Sequence, residues 1–120
     1  MLVNINISKG IKKYNRMSVL VEFAMFPTDK KGESASPYVS KVIEMIRESG
    51  IPYKLGAMGT TFETNTIEEA NDVIAKAYKT LEPISERVYT IIKMDIRMGA
   101  KDRLNGKIAS VEKHIGKVNS

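Results

Sequence analysis

Apolar and polar positions along this chain change their period several times, and each change marks an element. "SVLVEFAMFP" (18–27) is an almost unbroken apolar run, rich in β-branched and aromatic residues, that stops at Pro27. That is the pattern of a central strand. A polar loop, "TDKKGES", follows, and then Val39, Val42, Ile43 and Ile46 recur at helical spacing. Ser36 is placed to cap this helix, with Pro37 at its first position, where a missing N–H costs nothing. Gly50, suited to the left-handed position after a helix, and Pro52 end it.

Period two returns in "YKLGAMGTTFET" (53–64). Tyr53, Leu55 and Ala57 alternate with Lys54 and Gly56, while Thr60, Phe62 and Thr64 alternate with Thr61 and Glu63. Two strands joined at Gly56–Gly59 are predicted, the glycines supplying positive φ angles or close approach. Thr66-Ile-Glu-Glu69 is a capping box. Ala70, Val73, Ile74, Ala77 and Leu81 give the second helix its buried face, and Pro83 closes it. "RVYTIIKMDIRM" (87–98) reads as the longest strand. Val88, Ile92, Met94, Ile96 and Met98 share one face; Tyr89, Ile91, Lys93, Asp95 and Arg97 share the other. Leu104, Ile108, Val111 and Ile115 make the narrow stripe of a third helix entered near Asp102.

The order strand, helix, strand, strand, helix, strand, helix predicts an α+β fold: a ferredoxin-like βαββαβ sandwich on an antiparallel four-stranded sheet, with an additional C-terminal helix. Right-handed crossovers put the first two helices on one sheet face. The apolar residues on the other face then call for a cover, and self-association is expected there.

Composition changes this picture in two places. The net charge of +5 is concentrated at the start: residues 1–16 hold Lys9, Lys12, Lys13 and Arg16 and no acid, while the rest carries 15 basic against 14 acidic side chains. The chain therefore divides into a basic N-terminal extension (1–16), disordered or adding a short strand through Val3, Ile5 and Ile7, and one folded domain (17–120). A near-neutral body argues against a dedicated nucleic-acid module. The absence of cysteine excludes disulfides and thiolate sites and fits a cytoplasmic location. No apolar run is long enough to span a membrane, and the start lacks the features of a signal peptide.

Little in the chain points to catalysis. The single histidine, His114, has no second ligand for a metal. Glu68 and Glu69 sit where a helix dipole already favours carboxylates. The Gly56–Thr61 segment lacks the lysine and spacing of a P-loop, and neither "GTTFETN" nor "VYTIIKM" matches the aromatic strand of an RNA-recognition domain. Glu63 is different. A carboxylate in mid-strand, beside threonines and near Tyr53, is not needed for capping. It reads either as a solvated partner of Lys93 or Arg97 or as a binding group. As a binding group it suits an aminopyrimidine, whose ring nitrogen and amine it can engage together.

"FP(x)9SPYV", "SGIPYKLGAMGTTFE", "RVYTIIKMDIR" and "LNGKIASVEK", in that order, resemble the thiamine-binding family of ferredoxin-like domains, related to the YkoF-like thiamine- and hydroxymethylpyrimidine-binding proteins. The likeness covers roughly residues 17–115. Its most specific block is Tyr53, Leu55, Met58, Gly59, Thr60 and Glu63, supported by Thr90, Ile92, Lys93 and Arg97 and by Ser34 and Ser36. The resemblance implies a non-enzymatic binder of thiamine or its pyrimidine moiety, with dimers that pair into tetramers; no cofactor and no metal are expected. The expected ligand-binding residues are Glu63 on the aminopyrimidine, Thr60, Gly59 and Met58 at its edge, Tyr53 or Tyr89 stacking, Ser34 and Ser36 closing the site, and Lys93 beside it. The alternatives are a ligand-free oligomeric module and an RNA- or polyanion-binding protein acting through the basic tail.

Overall fold

The structure, a computed structural model, describes residues 17–120. The expected basic extension, with its strand over residues 3–7, lies outside the described residues. Strands β1 (Ser18–Pro27), β2 (Tyr53–Leu55), β3 (Thr60–Thr64) and β4 (Val88–Arg97) form one antiparallel sheet in the order β2-β3-β1-β4. Helices α1 (Ser36–Ser49) and α2 (Ile67–Leu81) supply the two connections, and α3 (Arg103–Ile115) follows β4. This is the ferredoxin-like arrangement with a C-terminal helix, as the order of periods predicts.

β1 is central and its alternate residues explain the layering. Val19, Val21, Phe23 and Met25 point to the helices and are buried with Phe62 of β3, Val42 and Ile46 of α1, and Ala70, Val73, Ala77 and Leu81 of α2. Phe23 and Phe62 meet edge-to-face, with ring centroids 5.7 Å apart, the arrangement that ring quadrupoles favour. Leu20, Glu22, Ala24 and Phe26 face the other way. Register places Leu20 between Glu63 and Asp95, and Glu22 between Thr61 and Lys93.

The local signals act as expected, with small shifts. Thr66 and Glu69 form the reciprocal capping box of α2. Gly50 ends α1 at φ 78°. α1 begins one residue ahead of the expected place: Ala35 occupies the cap position without a side-chain bond, and Ser36 is already helical. The reason is local, since the Ser34 hydroxyl accepts from the Ser36 N–H and turns the chain one step sooner. β2 stops at Leu55 rather than running through Ala57, because Gly56 N–H donates to the Gly59 carbonyl across the turn at 2.8 Å.

Candidate functional site

The Gly56–Gly59 turn is held by proximity, not by unusual torsions. Neither glycine has a positive φ. A Cβ on Gly56 would lie 2.8 Å from the Gly59 oxygen, and one on Gly59 would lie 3.2 Å from the Phe23 carbonyl. The turn can therefore press against β1 at Phe23 only with hydrogen in place of a side chain. Pressed there, it faces α1 across an apolar cleft of about 260 Å³. Phe23, Met25, Val39, Ile43 and Leu55 line this cleft together with Met58, Gly59 and Thr60. Thr60 is buried, whereas Met58, at the turn's tip, is 92% exposed.

The structure divides the sequence-predicted residues between two faces of the sheet. Met58, Gly59 and Thr60 share the cleft. Ser36 lines an adjoining groove that has Val39, Ile43 and Leu55 in common with it, and Ser34 holds Ser36 by its backbone amide. Tyr53 pairs with Phe62 and packs against the core from the same side. Glu63, Tyr89 and Lys93 lie on the open face. Tyr89 is half-exposed with its ring 5.9 Å from that of Phe26. Lys93 forms an ion pair with Glu22, Nζ to Oε1 2.8 Å. Thr60 and Glu63 are three residues apart in a strand, so their side chains point oppositely and do not share a pocket.

Glu63 is engaged within the chain. Its Oε2 accepts from the Ser18 hydroxyl at 2.6 Å and from the Arg103 N–H at 3.1 Å, and its Oε1 accepts from the Leu104 N–H at 2.9 Å. Two of these donors are the first free amides of α3, which Asp102 leaves uncapped. Partial burial opposes ionisation of Glu63, but the Ser18 hydroxyl, the two amides and the Arg103 charge together outweigh it and hold the carboxyl below its ordinary range. Arg103 completes the cluster. Its Nε donates to Ser18 Oγ at 3.0 Å, its Nη2 to the carbonyls of Ser18 and Asp95, and its Nη1 pairs with Asp95 at 2.8 Å.

Sequence reasoning missed the apolar wall of the cleft and the partners of Glu63. The wall was hidden because Val39 and Ile43 belong to the core stripe of α1 and carry no second signature. Ser18 and Arg103 are 45 and 40 residues from Glu63, beyond any local pattern. Among the described residues no group of three His, Cys, Asp or Glu side chains is placed to hold a metal ion. No helix among them is long and apolar enough to cross a membrane.

Comparison with known proteins gives the same family as the sequence motifs. Residues 21–112 match the family model described as thiamine-binding protein. The chain is 35% identical over 99 residues to a UPF0045 protein of Mycobacterium bovis, covering 82% of this chain and 96% of that one. A UPF0045 protein of Methanothermobacter thermautotrophicus is 30% identical over 98 residues, covering 81% and 99%. Among solved structures, a hypothetical protein of Methanocaldococcus jannaschii superposes with a TM-score of 0.70 at 27% identity, covering 80% of this chain and 97% of the other. A Thermotoga maritima protein named as a candidate for thiamine biosynthesis or salvage shares the fold, with a TM-score of 0.62 at 24% identity and coverage of 78% and 98%. The match over residues 21–112 takes in the cleft, Glu63 with Arg103 and most of α3, and the chain belongs to the thiamine-binding protein family.

Proposed function

We propose that this chain is a non-enzymatic, cytoplasmic binding protein for thiamine or its hydroxymethylpyrimidine moiety, and that the ring enters the cleft between α1 and the Gly56–Gly59 turn. One observation carries the reading: Met58, Gly59 and Thr60, from the family's most specific block, form the lip of an apolar cleft of about 260 Å³. Small-molecule sites are concave and mostly apolar, with a few polar groups that fix orientation. This cleft is slightly smaller than most such sites, a size for one aromatic ring with the remainder of the ligand outside. Thr60 supplies a hydroxyl on the wall, the turn supplies backbone polar groups, and Met58 supplies a pliable thioether suited to packing on a ring. Ser34 and Ser36 border the entrance from the α1 side. In this proposal Glu63 acts as the cap of α3 and leaves the ring to the cleft.

Self-association belongs to the same proposal. Tyr89 and Ile91 are about half-exposed on the open face beside Phe26, and a contact between copies would cover them. A second contact between such pairs would give the dimer of dimers that the family resemblance implies.

Calorimetric titration of the purified chain with thiamine, and separately with hydroxymethylpyrimidine, tests the reading. Saturable binding at a fixed ratio to subunits, lost when Val39→Trp fills the cleft, is the expected result. Absence of both heat and thermal stabilisation with either compound would refute it and favour a ligand-free assembly module.

A further inference from the structure

Beyond Leu20 the open face ends in a second cleft, of about 630 Å³, that ring binding leaves unused. Its walls are the β4–α3 loop and the first turns of α3, and it is lined by four cationic side chains, Arg97, Lys101, Arg103 and Lys107, against two carboxylates, Asp95 and Asp102. The frame is fixed. Glu63 ties down the start of α3, and the Arg103 side chain, only 12% exposed, is locked to Asp95 and Ser18. That pairing removes Arg103 and Asp95 from the balance. Arg97, Lys101 and Lys107 have no ion-pair partner among the described residues. Arg97 and Lys107 then face one carboxylate, Asp102, and Lys101, whose Nζ lies 3.5 Å from Asn65 Oδ1, stands at the border of the same concavity. Like charges gathered in this way raise the local concentration of an anion.

Gly106 adds an independent observation. It lies inside α3, where glycine costs helix stability relative to alanine. A Cβ there would meet nothing within 4 Å, so packing within the described chain gives no reason for its absence. Gly106 does line this cleft, and its bare backbone leaves open space on that wall.

We infer that this cleft is an anion site of the phosphate class, taking a phosphate or diphosphate group on Arg97, Lys101 and Lys107. A multiply charged anion answers the excess of cations. The guanidinium fork of Arg97 matches two phosphate oxygens, while the lysines act as point charges. The site is separate from the ring cleft, which lies on the other face of the sheet and toward the other end of β1. It is therefore not the place for the phosphate tail of a ring-bound ligand.

The test is an amide NMR titration of the full chain with sodium pyrophosphate at fixed ionic strength, with a single-stranded oligonucleotide alongside. Saturable shifts confined to residues 97–107 are expected. Affinity should fall at least tenfold in the Arg97→Gln/Lys107→Gln double variant, with the fold unchanged by circular dichroism. Gly106→Ala should also weaken binding while its melting temperature stays the same or rises, an outcome that lost structure cannot produce. Val39→Trp should bind pyrophosphate normally, which keeps this result distinct from that of the ring cleft. Shifts scattered over surface lysines, undiminished binding in the double variant, or binding of the oligonucleotide alone would overturn the inference.

Discussion

The carboxylate of Glu63 accepts the backbone N–H of Arg103 at 3.1 Å, so a strand residue caps a helix that begins 40 positions later. Asp102, the residue in the cap position, stands at φ 55° and ψ 39° and makes no side-chain cap bond. Its left-handed torsions differ from the extended ones a capping side chain needs. α3 buries no residue fully, so its attachment depends on its first turn. Replacing Glu63 by alanine leaves two amides and the Ser18 hydroxyl without their acceptor. A loss of roughly 1–3 kcal/mol is expected from groups of this kind. Denaturant unfolding measures the total, and hydrogen exchange at residues 103–108 should show the protection lost first. Unchanged exchange there would show that α3 is held by something else.

The same contact sets a pH dependence. The Glu63 carboxyl is held below its ordinary value of 4.5 despite partial burial, by Ser18, the two amides and Arg103. A carboxyl depressed in the folded state binds its proton less readily than in the unfolded chain, so its contribution is complete above the unfolded value. It is lost as pH falls through the folded one. α3 should therefore stay docked from neutrality to about pH 5 and detach at lower pH. Exchange profiles at pH 6 and pH 3.5, corrected for intrinsic rates, check this. In Glu63→Gln the difference between the two profiles at residues 103–108 should shrink.

How much of this was legible in the sequence depends on the range of the interaction. The Thr66–Glu69 box, the glycine stop at Gly50 and the alternation of β1, β3 and β4 act within four residues, and all appear as read. The separation of Thr60 from Glu63 was also present, in the alternation Thr60, Phe62, Thr64 against Thr61, Glu63. Strand parity alone puts the two side chains on opposite faces, and the shared family motif drew them into one site. The capping of α3 was not legible. Asp102 looks like a cap in sequence, and only the left-handed turn before α3 disqualifies it.

Close approach at the 56–59 turn makes a sharp prediction. The Cβ of Gly56→Ala would come within 2.8 Å of the Gly59 oxygen, a backbone atom that cannot swing aside as a side chain can. Either the turn opens and loses the Gly56–Gly59 hydrogen bond, or β2 shifts against β3. A destabilisation of about 1–3 kcal/mol follows, the usual cost of overpacking. Gly32→Ala serves as a contrast: a Cβ there meets nothing, and only its φ of 77° is unfavourable. Equilibrium unfolding of both variants should place Gly56→Ala as the less stable.

Exposed apolar residues on the open face lead to a prediction about assembly. Ile91 is 50% exposed beside Tyr89 at 52%, on a face whose other half carries charge. Ile91→Lys puts a cation at the centre of that patch, where a contact between copies would have to desolvate it. Sedimentation velocity should show smaller species than the parent chain at equal concentration, with the melting temperature of the dissociated form little affected. An unaltered distribution would move the association surface elsewhere.

Met58 and Glu63 belong to one sequence block, yet the structure places Met58 at the cleft and Glu63 at the start of α3, and paired variants separate their proposed roles. Met58 is 92% exposed at the lip of the cleft, so Met58→Ala should change stability by no more than about 0.5 kcal/mol, as for other surface substitutions. If the ring packs on its thioether, thiamine affinity should drop roughly fivefold, equivalent to about 1 kcal/mol of lost contact. Glu63→Gln should behave in the opposite way, because its carboxylate holds α3 and faces away from the cleft. Stability falls and affinity for the ring stays within about twofold, a few tenths of a kcal/mol. Calorimetry and thermal unfolding on the same two proteins decide the matter. A large affinity loss in Glu63→Gln with α3 still docked would return the aminopyrimidine to Glu63, and the cleft would no longer be needed to explain binding.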